Sequence, residues 1–471
     1  MVSSIVKRLI VIGIDGASYN LIKENASRFK FFSRLLKNDG LKPLISTIPP
    51  STVPAWMSIF TGVNLGKHGY FGFTEQHSYE YKLVRFNKCV VPRVWNILND
   101  RGLKSIVVNV PIVYPDESIR GVMVAGMFSP SNKLEEKNVF PPSIIPLLRK
   151  LNYIIDIDVS ELKELSIKEV YDILSSIVEA RTEAFKLLMD SFNADLGILV
   201  YTETDRVQHL FWYDKELILR IYELVDKQIS ELLNYFDSPM IIVSDHGFRG
   251  VKKGVIGDLL LHELGYLKFR DNYYKLLLRI ILRRLKGYKP SIEYEVIDWS
   301  KTLAYFRRDT WGFVLNLVGR QPNGIVNQKE YEKILDKLIS TLKLTNLFDY
   351  LYESSELYNG SFVNKAPDII TVPRQDVKLL SLNEAVEITK SSKTIKRFTV
   401  IKDILRNADP IVKFDREVGE HDLIGIVGIY RGYLRDKPTI YDITPSILNF
   451  FQIKAPSYVD GRPVVEFEVS K

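Results

Sequence analysis

The hydrophobic residues of the chain fall into two kinds of run, and their alternation predicts the fold class. Short, continuous apolar runs rich in β-branched residues occur at five places: "RLIVIGID" (8–15), "SIVVNVP" (105–111), "GVMVAG" (121–126), "LGILVYTETD" (196–205) and "MIIVSDHG" (240–247). A strand that is apolar at consecutive positions is typical of a parallel sheet covered on both faces. Longer amphipathic runs separate these segments. We therefore expect an α/β protein with a doubly wound, mostly parallel sheet sandwiched by helices.

Three of the amphipathic runs carry start signals for helices. Ser166 and Glu169 form a capping box before the first run. Asp214 is a candidate N-cap for the second run. Near the end of the chain, Thr444 and Pro445 predict an N-cap followed by a proline at the first helical position, opening the helix "SILNFF".

The middle of the chain has a different character. Residues 255–410 are richer in charge and contain long basic and mixed-charge stretches, and the apolar pattern of the core returns near His421. We expect residues 1–254 and 411–471 to form one catalytic core, with residues 255–410 as an inserted or cap lobe. The length of 471 residues is ample for such a division.

Composition indicates the kind of protein and its cellular compartment. The chain is 46% hydrophobic and 26% charged, which is ordinary for a globular protein. A single cysteine, Cys89, rules out an internal disulfide framework and suits a reducing compartment. The first apolar run is short for a signal sequence, and no segment approaches the roughly 18 apolar residues of a membrane span. We expect a cytoplasmic protein with a mild net positive charge of +7.

Acidic and histidine residues recur at the ends of the predicted strands or in loops, with His421 in the later loop "GEHDLIGIVG". They are Asp15, Asp205, His209, Asp245, His246 and His421. Taken singly, each fits a helix cap, a turn or a solvated side chain. Taken together, they indicate a ligand site, because open α/β sheets bind ligands beyond the carboxyl ends of their strands. Mixed carboxylate and imidazole ligands favour zinc, with manganese and iron as rivals.

The stretch "PPSTVPAWMSIFTG" (49–62) crowds hydroxyl groups before an apolar run. Thr52 precedes a predicted helix with Pro54 in its first turn, so that free backbone N–H groups there would face a phosphate oxygen. A threonine hydroxyl must be activated before it can act as a nucleophile. The stretch by itself leaves open whether its hydroxyls are helix caps or include a nucleophile.

An ordered set of motifs resembles a known family. The motifs are "VIGIDG", "TVPAWMSIFTGVNLGKHG", "TETDRVQH", "IIVSDHG" and "GEHDLIGIVGIY", which span residues 11–430. They resemble the alkaline phosphatase superfamily and, within it, the type I phosphodiesterase/nucleotide pyrophosphatase branch. The best match is its archaeal and bacterial group of predicted phosphohydrolases or phosphomutases. The resemblance implies an alkaline-phosphatase-like core.

The resemblance also assigns roles. It implies that Thr52 is the nucleophile of a ping-pong reaction through a phosphothreonine, whereas Thr47, Ser51 and Thr61 are turn or capping groups. It implies two divalent metal ions, zinc first and manganese or magnesium as alternatives. The two ligand sets are Asp15, Thr52, Asp245 and His246 for one ion, and Asp205, His209 and His421 for the other.

One departure from the family pattern concerns phosphate recognition. Related nucleotide pyrophosphatases place an asparagine downstream of the nucleophile, where it contacts a phosphate oxygen, and this chain reads "GKHGYFGFTEQ" there. Lys67 and His68 are candidate substrate-binding substitutes, and a structural loop is the plainer reading. The preference for a phosphodiester or a phosphomonoester is therefore open.

The function expected from the sequence is that of a metal-dependent phosphodiesterase or nucleotide pyrophosphatase. The alternatives are a phosphomonoesterase or phosphomutase on the same two-metal site and, from another class, a non-catalytic, metal-stabilised binding protein. We expect a small-molecule phosphate ester or diester as substrate and no polymeric nucleic acid, because no stacking platform flanks a basic groove.

Residues 272–289 hold six basic and no acidic side chains. Such a segment either binds an anionic membrane surface or packs on the core, and we prefer the second reading. The oligomeric state is left open.

Overall fold

The computed structural model describes residues 8–84, 89–115, 119–129, 131–271, 276, 292–388 and 409–468. The chain forms two compact units. Unit 1 comprises Met1–Tyr70, Arg85–Arg249 and Val418–Lys471, and unit 2 comprises Phe71–Val84 and Gly250–Glu417. No sequence pattern indicates that residues 71–84 belong with unit 2. The basic stretch 272–289 lies outside the described residues except for position 276.

The helices and strands are numbered in chain order. The α-helices are α1 (Tyr19–Glu24), α2 (Phe31–Lys37), α3 (Thr52–Thr61), α4 (Leu65–His68), α5 (Val94–Asn99), α6 (Ile145–Lys150), α7 (Val159–Leu162), α8 (Ile167–Phe192), α9 (Glu203–Phe211), α10 (Lys215–Phe236), α11 (Gly257–Glu263), α12 (Ile292–Val296), α13 (Tyr331–Leu344), α14 (Ser354–Leu357), α15 (Leu382–Ile388) and α16 (Ile443–Phe450). The strands are β1 (Leu9–Ile14), β2 (Leu41–Ile45), β3 (Thr74–His77), β4 (Glu80–Leu83), β5 (Ser105–Val108), β6 (Gly121–Val124), β7 (Val139–Phe140), β8 (Leu196–Tyr201), β9 (Met240–Val243), β10 (Gly247–Ile256), β11 (Ala304–Arg307), β12 (Gly312–Leu315), β13 (Phe348–Glu353), β14 (Ile369–Pro373), β15 (Val377–Leu380), β16 (Ile411–Asp422), β17 (Ile424–Tyr430), β18 (Gly432–Leu434) and β19 (Val465–Phe467).

Unit 1 is built on an eight-stranded sheet with the order β2-β17-β9-β1-β8-β5-β6-β7. The five strands predicted from apolar runs are its five central strands, and each pairs in parallel with its neighbours in that group. Antiparallel strands complete the sheet at both edges. The predicted α/β fold with a mostly parallel sheet is therefore confirmed. Apolar side chains of the sheet and its helices form one large buried core.

Two of the predicted helix starts are confirmed. The Ser166 hydroxyl accepts a hydrogen bond from the backbone N–H of Glu169, and the Glu169 carboxylate accepts in return from the N–H of Ser166, which completes the capping box of α8. Asp214 caps α10 by accepting from the N–H of Leu217. These local signals held because both donor and acceptor lie within four residues of each other.

The predicted start of the last helix was wrong. α16 begins at Ile443, one residue before Thr444. A preceding 3-10 turn runs directly into it, and Asp442 accepts hydrogen bonds from the N–H and hydroxyl of Thr439. The Thr444 hydroxyl instead donates to the carbonyl of Ile59, 2.7 Å away. Thr439 thus caps the 3-10 turn, and Asp442 is the N-cap residue of α16 without a side-chain capping hydrogen bond.

The carboxyl ends of three central strands lie level with one another. In the register of the sheet, Ile14 pairs with Tyr201, and Gly13 pairs with Val243. The residues that follow β1, β8 and β9 therefore meet at one edge.

The prediction that Asp205 sits at a strand end needs a correction. β8 stops at Tyr201, because the polar sequence after it turns into α9, and Asp205 lies in the first turn of that helix.

Unit 2 has its own antiparallel sheet with the order β11-β12-β14-β13. Its buried core is rich in aromatic residues. The ring of Tyr79 stacks on that of Trp299 with centroids 3.8 Å apart, which ties segment 71–84 into this core. Within the part of the chain that is described, none of the helices combines the length and apolar character needed to cross a bilayer.

Candidate metal centre

Six of the predicted ligands gather in two clusters within unit 1. We call Asp15, Asp245 and His246 the inner group, and Asp205, His209 and His421 the outer group. Within each group, one potential ligand atom per residue lies within 4.8 Å of the others. The inner group is wholly buried, whereas the His209 side chain of the outer group is 36% exposed. The two groups are those that the family resemblance implied, apart from Thr52, which is described below.

The inner group joins the ends of two adjacent strands, β1 and β9. Asp15 accepts a hydrogen bond at Oδ2 from Trp56 Nε1, 3.0 Å away, and Asp245 accepts at Oδ1 from the N–H of Gly16, 3.1 Å away. Among the described residues, the other oxygen of each carboxylate has no hydrogen-bond partner. Those two oxygens lie 3.7 and 3.2 Å from His246 Nε2. Three potential ligand atoms therefore converge.

The tautomer of His246 suits a metal ligand. Its Nδ1 lies 3.0 Å from the carbonyl oxygen of Gly247, which can only accept a hydrogen bond. The proton is therefore assigned to Nδ1, and Nε2 keeps its lone pair facing the carboxylates. Burial, reinforced by the charge of His421, holds the pKa of His246 well below its ordinary value. The ring is accordingly neutral.

Thr52 lies directly beside the inner group. It is the first residue of α3, it is buried, and its Oγ1 is 3.3 Å from His246 Nε2. The close approach of α3 to the sheet depends on Gly13. A Cβ at that position would come within 2.4 Å of the Trp56 ring. The missing side chain thus lets α3 pack against β1 with Thr52 at the site.

The outer group combines α9 with β16. Asp205 and His209 are one helical turn apart on α9, and His421 comes from β16. Asp205 Oδ1 lies 3.3 Å from His209 Nε2 and 3.4 Å from His421 Nε2. His421 Nδ1 is 2.8 Å from the carbonyl oxygen of Pro50, so its proton belongs on Nδ1 and its Nε2 also faces the group.

The electrostatics of the centre favour bound cations. Burial raises the pKa of Asp15 and of Asp245 well above the ordinary range, and the neighbouring carboxylates add to the effect. Burial acts on Asp205 too, but His209 and His421 outweigh it and hold its pKa well below the ordinary range. Ionised carboxylates buried this deeply need a counter-charge. Unpartnered carboxylate oxygens and converging imidazole nitrogens fit divalent metal ions.

A second layer of hydrogen bonds fixes α9 against the end of β1. The Thr204 hydroxyl donates to the carbonyl of Asp15 at 2.6 Å, and Gln208 Nε2 donates to the carbonyl of Gly16 at 2.9 Å. The Tyr222 hydroxyl in turn donates to Gln208 Oε1. Sequence reasoning missed these three residues and Trp56, because nothing in their local pattern separates them from ordinary helix residues.

Lys67 and His68 follow α3 in the chain, and their contacts lie towards its carboxyl end. Lys67 Nζ pairs with Asp460 and donates to the carbonyl of Tyr458 at 2.8 Å. His68 is buried, with Nε2 3.0 Å from the Ser58 hydroxyl and Nδ1 accepting from the N–H of Tyr70. A ten-residue helix is about 15 Å long. The contacts of both side chains are thus with Asp460, Tyr458, Ser58 and Tyr70 rather than with the inner or outer group, and their role in substrate binding stays a prediction.

Taken together, the sheet, the two metal groups and the helix-borne threonine define an α/β protein with a candidate metal-dependent phosphoryl-transfer site. The chain belongs to the type I phosphodiesterase/nucleotide pyrophosphatase family, whose model matches residues 9–393. The family resemblance of the motifs is thereby confirmed, and it identifies the chain as a phosphoric ester hydrolase.

Solved structures show the same fold. Phosphonoacetate hydrolase from Sinorhizobium meliloti 1021 is 16% identical, with a TM-score of 0.60 and 95% of each chain covered. The alkaline phosphatase PafA is 13% identical, with a TM-score of 0.55 over 97% of this chain and 98% of that one. Murine ectonucleotide pyrophosphatase/phosphodiesterase 5 is 12% identical, with a TM-score of 0.52 and 96% of each chain covered. Comparison with curated protein sequences gives no significant match. The predicted alkaline-phosphatase-like fold is confirmed.

Proposed function

We propose that this protein is a metal-dependent phosphodiesterase or nucleotide pyrophosphatase that works through a phosphothreonine at Thr52. The position of Thr52 carries the proposal. A buried hydroxyl at the start of α3 lies 3.3 Å from His246 Nε2, beside carboxylates that have unpartnered oxygens. A structural metal site gains little from a threonine at this place, whereas a nucleophile must be there.

Two ligand sets would hold the metal ions. The inner group with Thr52 would bind one ion, and the outer group would bind the second, with zinc as the first choice and manganese or magnesium as alternatives. When bound, the ions supply charge that favours the deprotonated threonine hydroxyl and stabilises the departing oxygen. Trp56, the N–H of Gly16 and the Pro50 carbonyl orient the ligands through their other atoms.

The chain's own part in the reaction follows from this placement. Thr52 Oγ1 loses its proton and forms a bond to phosphorus while the bond from phosphorus to the leaving oxygen breaks and that oxygen takes up a proton. This leaves a phosphothreonine, which keeps the second ester group when the substrate is a diester. Water then attacks phosphorus, the bond to Oγ1 breaks, and the threonine hydroxyl is restored. The first N–H groups of α3 have no acceptor within the helix and can bind phosphoryl oxygens in both steps.

Two similar structures support the choice of threonine and of a small substrate. One is described as an inactive threonine-to-alanine variant of the murine phosphodiesterase in complex with AMP. Another is phosphonoacetate hydrolase in complex with phosphonoacetate. We propose a small phosphate ester or diester for this chain. The lack of a family asparagine keeps a phosphomonoesterase or phosphomutase as the second candidate.

The test compares a bis-aryl phosphate diester with the matching monoester, each with zinc, manganese or magnesium, in wild type and Thr52→Ala. Diester turnover that disappears in Thr52→Ala supports the proposal. Preference for the monoester moves the protein to the second candidate. Bound metal without turnover of either ester favours the binding-protein reading. Unchanged activity in Thr52→Ala contradicts the nucleophile itself.

A further inference from the structure

The residue before the proposed nucleophile is an unusual helix cap. Ser51 occupies the N-cap position of α3, but its side chain makes no capping hydrogen bond. It is only 6% exposed, and its hydroxyl has no partner among the described residues. The predicted turn or capping role of Ser51 therefore holds for its backbone, which lies at the N-cap position, and not for its side chain. A buried hydroxyl without a partner is unfavourable unless a ligand satisfies it.

The proline in the first turn explains why the hydroxyl is left over. The serine N-caps of two other helices accept from the third helical residue, Ser18 from Leu21 and Ser166 from Glu169. In α3 the third residue is Pro54, which has no N–H to donate. The Ser51 hydroxyl therefore receives no hydrogen bond from the third residue of α3.

The neighbouring backbone donors are in the same state. Thr52 and Val53 are the first two residues of α3, so their N–H groups have no acceptor within the helix. In the part of the chain that is described, neither N–H group makes another hydrogen bond. Three consecutive donors thus point to an acceptor that lies outside the protein.

Ser51 is also bracketed by the two metal groups. The carbonyl of Pro50 accepts from His421 of the outer group at 2.8 Å, and Thr52 Oγ1 lies 3.3 Å from His246 of the inner group. The chain therefore passes from one group to the other through Ser51. A phosphoryl group attacked by Thr52 must lie against this same short segment.

We propose that the Ser51 hydroxyl donates a hydrogen bond to a non-bridging oxygen of the phosphoryl group that Thr52 attacks. This inference rests on the proposed function. Ser51 then supplies the oxygen contact for which the chain lacks the family asparagine. A ligand with tetrahedral phosphoryl oxygens satisfies the hydroxyl, for which the described residues offer no partner.

The experiment uses the metal-loaded protein and two serines of the same helix. Ser51→Ala should lower kcat/KM for the bis-aryl diester about 10- to 100-fold, mainly through kcat, because one donor to the developing charge is lost. It should not lower the unfolding temperature. Ser58→Ala is the matched control, because its hydroxyl lies 3.0 Å from His68 Nε2. That variant should keep turnover and lose stability.

A second measurement needs no turnover. Calorimetric binding of inorganic phosphate to the metal-loaded protein should weaken about 5- to 10-fold in Ser51→Ala, as expected for one lost hydrogen bond. Unchanged phosphate affinity with unchanged kcat/KM would overturn the inference. If Thr52→Ala abolishes turnover and Ser51→Ala has no effect, only the role of Ser51 fails. If Thr52→Ala stays active, the proposed function fails, and phosphate binding still decides whether Ser51 contacts the anion.

Discussion

The two ends of α3 carry similar polar residues but treat them differently. At the amino end, the Ser51 hydroxyl has no described partner and Thr52 faces the inner group. At the carboxyl end, the Thr61 hydroxyl donates to the carbonyl of Met57 at 2.6 Å, and Ser58 lies 3.0 Å from His68 Nε2. One end therefore satisfies its polar groups internally, and the other leaves them available.

This contrast separates structural roles from chemical ones more reliably than residue type does. Lys67 and His68 have side chains that often bind phosphate, but Asp460 and Ser58 already engage them. A buried polar group is normally paired, so an unpaired one next to a metal group indicates a ligand. Four predictions test the contrast, beginning with the largest effect.

The largest difference should appear between the two threonines of the helix. Thr52→Ala should lower kcat at least ~10³-fold, because the nucleophile of a covalent mechanism is removed. Thr61→Ala should leave kcat unchanged and lower the free energy of unfolding by about 1 kcal/mol, because it loses only a local hydrogen bond. Steady-state kinetics and thermal unfolding of both variants make the comparison. Equal loss of activity in the two would contradict it.

The inner and outer groups beside the amino end of α3 should also differ in the effect of losing one ligand. Asp245→Asn removes a fully buried ligand and should abolish the metal bound there, with activity falling at least ~100-fold. His209→Asn removes a partly exposed ligand, so added zinc should restore more of its activity. Metal analysis after dialysis, followed by zinc titration of activity, checks this. Rescue of Asp245→Asn but not of His209→Asn would reverse the assignment.

At the carboxyl end of α3, His68 should make the free energy of unfolding depend on pH. Burial lowers the pKa of His68 to about 3, whereas an unfolded histidine has a pKa near 6.5. The unfolded state then binds one more proton between these values, so stability should fall as the pH drops below about 6.5, by up to ~1.4 kcal/mol per pH unit. Urea unfolding of wild type and His68→Gln from pH 7 to pH 4 measures the difference. A wild-type slope that His68→Gln fails to reduce would exclude His68 as its source.

The smallest effect should come from Lys67. Lys67→Ala breaks a partly exposed ion pair with Asp460 and should lower the free energy of unfolding by at most about 1 kcal/mol. KM for the diester should not change, because the side chain contacts Asp460 and Tyr458 rather than the inner or outer group. Kinetics beside Asp460→Ala, the matched partner variant, test this. A rise in KM for Lys67→Ala alone would assign Lys67 to the substrate site.

The sequence predicted the features that depend on short-range pattern. Continuous apolar runs identified the five central strands, and the residues that follow three of them supplied five of the six members of the inner and outer groups, whereas His421 comes from β16. Side-chain capping of α8 and α10 was equally local. The fold class and the gathering of the ligands were therefore predictable.

Other features depend on partners far along the chain. Lys67 is engaged by Asp460, 393 positions away, and no spacing near Lys67 announces this. Gln208 and Tyr222 support the end of β1 through contacts that exist only once the helices pack. The unpartnered hydroxyl of Ser51 could have been suspected, because a serine cap followed at the third helical position by proline lacks its usual donor.

The most direct test of the account is to trap the covalent intermediate. The metal-loaded protein is mixed with the bis-aryl diester, quenched in acid during turnover and analysed by peptide mass spectrometry, beside Thr52→Ala. We expect an aryl-phosphoryl group, which keeps the second aryl ester of the diester, on the peptide that contains Thr52, localised to that residue and absent from the variant. Sustained turnover with no phosphorylated Thr52, or a phosphoryl group on another residue that persists in Thr52→Ala, would contradict it.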